Sequence, residues 1–226
     1  MSQEALFLLP IIYVVFLFSI VCHEAAHALV AKWGGDLTAY SVGQVTIDPM
    51  PHIKREPFGL VFFPLYSLLS SGVAFGWGSA PFDPYWQIRY PRRAALMALA
   101  GPVANFMIAI AAVVLMRVGV AVGLFVPIGP VAVTSLNGGM LEGLGFFLSQ
   151  MFSLNILLGV FNLLPVPPLD GFSVLGLVLP ERSFLRLIEV ARSPMVSIFG
   201  LVVAIVIARY LVFPVQILVE RFVGFM

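Results

Sequence analysis

Polar residues are scarce along this chain, and where they occur they gather at the ends of long apolar runs. Residues 5–21 are almost wholly apolar, and His23, Glu24, His27 and Lys32 follow directly. A bilayer span takes about 20 such residues. The pattern predicts a first helix over 5–32, with Pro10 tolerated in its first turns and Gly34-Gly35 as its stop. Residues 36–50 are rich in β-branched and aromatic side chains and partly alternate, which predicts one or two short strands ending at Asp48-Pro49. Residues 58–78 are apolar but carry Pro64, Gly72, Gly76 and Gly78, the mark of a short or broken span or a re-entrant element shielded by protein. Pro81, Pro84 and Pro91 make 79–91 extended or looped. A second long helix follows over 92–118, with a kink expected at Pro102. Residues 119–140 read as an uncharged loop.

A third long helix covers 141–164 and ends at Pro165, Pro167 and Pro168. A short helix or turn over 171–180, a charged amphipathic stretch over 181–192 and a last span over 195–213 complete the pattern. The expected fold is an all-α-dominant polytopic membrane protein. It has four to six transmembrane or re-entrant helices and a small β element after the first helix. Residues 1–226 form a single domain with core helices at 5–32, 92–118 and 141–171.

Composition agrees. The chain has 226 residues, 61% apolar and 10% charged, which excludes an ordinary soluble domain. The mean hydropathy is +1.05. A net charge of +1 gives no basic field for nucleic acid. One cysteine, Cys22, excludes an internal disulfide. Without a basic leader or a small-residue cleavage site, 5–30 reads as a retained helix, not a signal peptide. Charge placement adds a topology. Lys32, Lys54 and Arg55, then Arg89, Arg92 and Arg93, then Arg182, Arg186 and Arg192 all lie on the cytoplasmic side if 58–78 does not cross. The N-terminus and 119–140 then lie outside, with Arg117 the one exception. On this reading the chain is a multi-pass cell-membrane protein, with His23 and His27 toward the cytoplasm.

The candidate chemistry sits in His23-Glu24-Ala25-Ala26-His27. Residues four apart share a helix face, so two imidazoles can grip one metal ion while Glu24 reaches a water beside it. The competing reading is a pair of helix-end histidines bonded to backbone or solvent, which idle ionisable groups at membrane depth make expensive. Cys22 points about 100° away from His23 and reads as packing. A catalytic zinc takes three protein ligands and keeps one position open. His52 and the aspartates are the candidates for the third. Asp170 stands out because it follows a proline-broken helix end and precedes Gly171, although a helix N-cap would look the same.

Taken together, H-E-A-A-H at 23–27 and N-L-L-P-V-P-P-L-D-G at 162–171 resemble the site-2 protease family of intramembrane zinc metalloproteases. The segment A-G-P-V-A-N at 100–105 looks like that family's second core helix. The chain carries no PDZ-like insertion and no CBS module, and so resembles the compact, mostly prokaryotic branch. The resemblance implies one Zn2+ held by His23, His27 and Asp170, Glu24 as catalytic base, and an active-site role for Asn162. It also implies the lipid bilayer as environment and membrane proteins as substrates, such as single-span anti-sigma factors, precursors or remnant signal peptides.

The chemistry is consistent: zinc acidifies its water, Glu24 takes the proton, and the Asn162 amide can serve the oxyanion. Asn162 and Asn105 both have the alternative of a plain helix–helix hydrogen bond. An unwound substrate could add to a strand edge at 36–50 or along 76–84. His52 reads as an interfacial loop histidine rather than a gate, and Trp77, Tyr85 and Trp86 as interfacial anchors. The reading from another class is a non-proteolytic membrane zinc-binding protein, either a transporter or an inactive relative acting as a chaperone. A transporter would string polar groups across the bilayer. An inactive relative would lose Glu24 or a ligand, and this chain keeps all four.

Overall fold

A computed structural model describes residues 3–223. Three long apolar helices form its centre: α1 (Gln3–Gly34), α6 (Pro91–Ala121) and α7 (Gly139–Asn162). The segments Leu8–Gly34, Pro91–Ala121 and Gly139–Asn162 are each long and apolar enough to cross a membrane. Lipid tails are as apolar as leucine, so such helices associate through close packing, and small residues favour it. Ala109 and Ala112 of α6 are buried against Val15 of α1 and against Met151, Phe152 and Ile156 of α7. Gly159 of α7 accommodates the Phe106 ring, which a Cβ at that position would meet at 2.7 Å. Pro102 lies inside α6, and the helix continues past it to Ala121.

Other elements surround this trio. After α1 come α2 (Thr38–Ser41) and α3 (Pro49–Arg55), then a π-helical turn over Phe58–Phe62 that runs into α4 (Phe63–Ser71). At about 1.5 Å per residue, Phe58–Ser71 reaches only about 21 Å. A hydrocarbon core of about 30 Å exceeds that, so the segment alone does not span. Residues 74–83 carry no helix or strand and lead to α5 (Pro84–Arg89), which Asp83 caps. Beyond α7 lie α8 (Asp170–Val174), a 3-10 turn over Leu175–Leu177, α9 (Glu181–Ala191) and α10 (Pro194–Val223). The amphipathic α9 meets the first part of α10 at 96°, and the bent pair is a candidate fourth span.

Two expectations need correction. The strands expected over 36–50 are helical turns. Asp36 accepts hydrogen bonds from the Thr38 amide and hydroxyl and from the Asp83 amide. Asp48 caps α3 through the Met50 amide, with Pro49 at its first position. Side-chain capping of backbone donors outcompetes β-propensity here. The small β element lies instead within 119–140, where a loop was expected. Strands β1 (Val126–Gly129) and β2 (Ala132–Thr134) pair antiparallel, with Val126 opposite Thr134. Val133 is buried, and its amide donates to Ser149 Oγ at 3.1 Å, so the hairpin closes one end of the α6–α7 pair.

Trp86 is the second correction. It is not an exposed anchor: the ring is buried against Ala31, Ala94 and Met97, and its indole N–H donates to the Gly34 carbonyl at 3.1 Å. Trp77 and Tyr85 are exposed.

Candidate metal centre

The helical repeat of α1 stacks His23 and His27 one turn apart, with their Nε2 atoms 3.0 Å from each other. Both are buried. Asp170 reaches them from the first position of α8, Oδ2 lying 3.0 Å from His23 Nε2 and 3.3 Å from His27 Nε2. Two glycines permit this convergence. A Cβ at Gly171 would overlap the carbonyls of Leu163 and Leu164, so glycine lets the proline-rich turn fold back tightly over the end of α7. A Cβ at Gly101 would come within 2.6 Å of His23 Nε2, so glycine lets α6 close against both imidazoles. Asp170 does not cap α8, whose N-cap is Leu169 without a side-chain bond.

The donors around the trio are spent elsewhere. His27 Nδ1 lies 2.7 Å from the Met97 carbonyl, which only accepts, so Nδ1 carries the proton and Nε2 presents a lone pair. His23 Nδ1 lies 2.6 Å from Asn105 Oδ1 in the same arrangement. Asp170 Oδ2 is buried without a hydrogen-bond donor. It lies beside the two histidine nitrogens. The three side chains thus converge on one point, and a bound cation would satisfy all of them. Zinc–ligand bonds of about 2.0–2.2 Å in a tetrahedron give edges of about 3.3–3.5 Å. The observed edges of 3.0 to 3.3 Å come close to that triangle and need only a slight opening.

The sequence profile of peptidase family M50 matches residues 11–207. The chain belongs to this family. It is 33% identical over 175 residues to "Putative zinc metalloprotease YwhC" of Bacillus subtilis, covering 76% of this chain and 71% of that protein. Two mycobacterial proteins named "Putative zinc metalloprotease Rip2" also match. The one from Mycolicibacterium smegmatis is 28% identical and the one from Mycobacterium tuberculosis 29% identical, each over 160 residues and 71% of this chain. The chain spans about half the length of these two, 54% in each case. No solved structure matches it. A site-2-type zinc metalloprotease of the membrane is what the family and the metal trio together describe.

In this M50 peptidase the other candidates fall in different places. Glu24 is buried next to His23 in the chain, and Gly78 of the 74–83 segment lies against it. A Cβ on Gly78 would lie 2.7 Å from Glu24 Cγ and 3.0 Å from Oε1. Several bonds pin that segment. The Phe75 amide donates to Ser67 Oγ, the Trp77 amide to the Gly59 carbonyl and the Asp83 amide to Asp36. The Ser79 hydroxyl donates to Glu56 Oε1 at 2.6 Å and accepts from Arg55 Nε.

Asn162 ends α7 and donates one amide N–H to the Leu158 carbonyl of its own helix. His52 is buried, and its Nε2 donates to the Thr46 carbonyl, so it closes its own loop and does not join the trio. Cys22 is not in the trio either. Sequence reasoning missed Met97, whose contribution is a backbone carbonyl, and Asn155, which resembles any single polar residue in an apolar helix. It left Gly101 as a motif letter. The clash with two histidines is what gives that glycine a reason.

Proposed function

We propose that this chain is an intramembrane zinc endopeptidase that cleaves within or beside transmembrane segments of membrane proteins. The observation that carries the proposal is the meeting of His23, His27 and Asp170 within 3.3 Å of one another, with Glu24 alongside. In this reading the three side chains hold one zinc. Zinc supplies the Lewis acidity that activates water and polarises a scissile carbonyl. Glu24 takes the proton from the attacking water at a carboxylate oxygen and returns it to the leaving amine. Asn162 has a second amide N–H beyond the one given to Leu158, and that N–H serves the oxyanion.

A transmembrane helix hides its backbone, so the substrate must unwind before it can be cut. The extended stretch over 78–82, lying against Glu24, offers an edge for the unwound strand. The arginine and lysine clusters favour an active site toward the cytoplasmic side. The test is reconstitution with a single-span substrate in proteoliposomes. Wild-type protein should cleave it, and Glu24→Gln should keep one zinc per chain yet leave the substrate intact. Cleavage persisting in pure Glu24→Gln protein would overturn the assignment. Trapping with the same variant in native membranes identifies the physiological substrate.

A further inference from the structure

Behind His23 lies a line of buried polar groups that the proposed reaction does not use. Asn105 of α6, Asn155 of α7 and Ser19 of α1 are each 0% exposed. His23 Nδ1 meets Asn105 Oδ1 at 2.6 Å, Asn105 Nδ2 donates to Asn155 Oδ1 at 2.8 Å, and Asn155 Nδ2 donates to both Ser19 Oγ and the Met151 carbonyl at 2.8 Å. Ser19 in turn donates to the Val15 carbonyl at 2.7 Å. Polar groups buried at membrane depth are costly unless each is satisfied, and this line satisfies all of its members.

The line also has a direction. Its far end is fixed by two backbone carbonyls, which only accept. The Met151 carbonyl takes one Asn155 N–H. Ser19 has given its proton to Val15, so its oxygen takes the other. Asn155 must therefore turn Oδ1 toward Asn105. Asn105 must then present its Nδ2 there, which leaves its Oδ1 for His23. His23 Nδ1 consequently carries the proton, and Nε2 keeps the lone pair that faces Asp170. His27 needs no such line because a backbone carbonyl, that of Met97, faces its Nδ1 directly. An asparagine amide offers a donor at one end and an acceptor at the other, so Asn105 alone would not specify which end meets His23.

We propose that Asn105 and Asn155 are positioning residues, a polarity relay that holds His23 in its metal-ready tautomer. The inference rests on His23 being a zinc ligand. Outer partners of metal-ligating histidines are typically worth 10- to 100-fold in affinity. Asn155 touches neither the metal trio nor its nearest partners except Asn105, so an effect from that position tests the relay and not simple contact.

The experiment measures zinc affinity by chelator competition on purified full-length protein in detergent. It also follows the His23 Nδ1–H resonance in zinc-loaded, 15N-histidine-labelled protein, which has only three histidines to assign. Asn105→Leu and Asn155→Leu should each weaken zinc by about tenfold or more, and the double variant should be no worse than Asn105→Leu alone. The His23 Nδ1–H resonance should move upfield in both single variants. Asn105→Asp placed in the Asn155→Leu background should restore affinity and resonance, because a carboxylate presents an acceptor whichever way it turns.

Additive losses, an unmoved His23 resonance in Asn155→Leu, or no rescue by Asn105→Asp would overturn the relay. Asn155→Ala carries the same predictions if the leucine variant does not fold. Wild-type protein that binds no zinc would instead overturn the metal-site reading on which the relay rests.

Discussion

Gly101→Ala adds one methyl group at the point where α6 closes on the metal trio. Its Cβ would lie 2.6 Å from both Cε1 and Nε2 of His23 and nearer still to His27 Nε2, where ordinary contact starts at 3.4 Å. The helix or the imidazoles must therefore move by about 1 Å, whereas metal–ligand distances tolerate about 0.2 Å. Zinc affinity should fall about 10- to 100-fold. A displacement of this size at a catalytic centre costs on the order of 100-fold in kcat/KM. Intrinsic helix propensity acts in the opposite direction, since alanine is favoured over glycine by about 1 kcal/mol in a helix interior. The variant should thus remain folded while losing its metal. Zinc content after dialysis against graded chelator, cleavage of a reconstituted substrate and a melting curve measure the three quantities together. Gly143→Ala is the control, because the nearest atom to its Cβ is Ile11 Cδ1 at 3.8 Å. Gly101→Ala protein that loads zinc and cleaves like wild type would refute the close approach of α6 to His23 and His27.

Asp170→Asn should weaken zinc far more than it weakens folding, and metal analysis beside a melting curve reads both. Stripping zinc should lower the melting temperature, the lost stabilisation growing as the logarithm of the free-ion excess to about 4 kcal/mol at a thousandfold excess over Kd, and calorimetry with and without chelator checks this. Ser79→Ala removes the hydroxyl between Glu56 and Arg55 and should raise KM for an unwound peptide with little change in zinc content; an unchanged KM would count against the 78–82 stretch as a substrate edge. Cysteine labelling from either side of the membrane should find position 54 reachable from the cytoplasm and position 137 from outside. The reverse pattern would overturn the orientation.

Long apolar runs made the three central helices legible, because a span needs little beyond hydrophobicity and length. His23 and His27 were legible from their four-residue spacing; the prolines and glycine around Asp170 left a ligand and a helix N-cap equally open, and the resemblance to the family chose between them. The turns at 36–50 were misread because Asp36 and Asp48 cap them through side-chain bonds that a composition count cannot weigh. The hairpin went unseen because β1 is only four residues long and contains Pro127 and Gly129. The Ser19–Asn155 contact joins residues 136 apart in sequence. Nothing local in either apolar helix signals such a bond.

The division of the ligands along the chain also bears on biosynthesis. His23 and His27 belong to α1, which is made before α6, α7 and α8, and the third proposed ligand arrives about 140 residues later. At about 5–20 residues per second, synthesis alone separates them by roughly 7–30 s. Throughout that interval the nascent chain holds only two of the three proposed ligands. The Pro165–Gly171 turn completes the site only after α6 and α7 have been made and the turn can fold back over the end of α7. On the proposed function, such a chain would stay inactive until α1, α6 and α7 have come together.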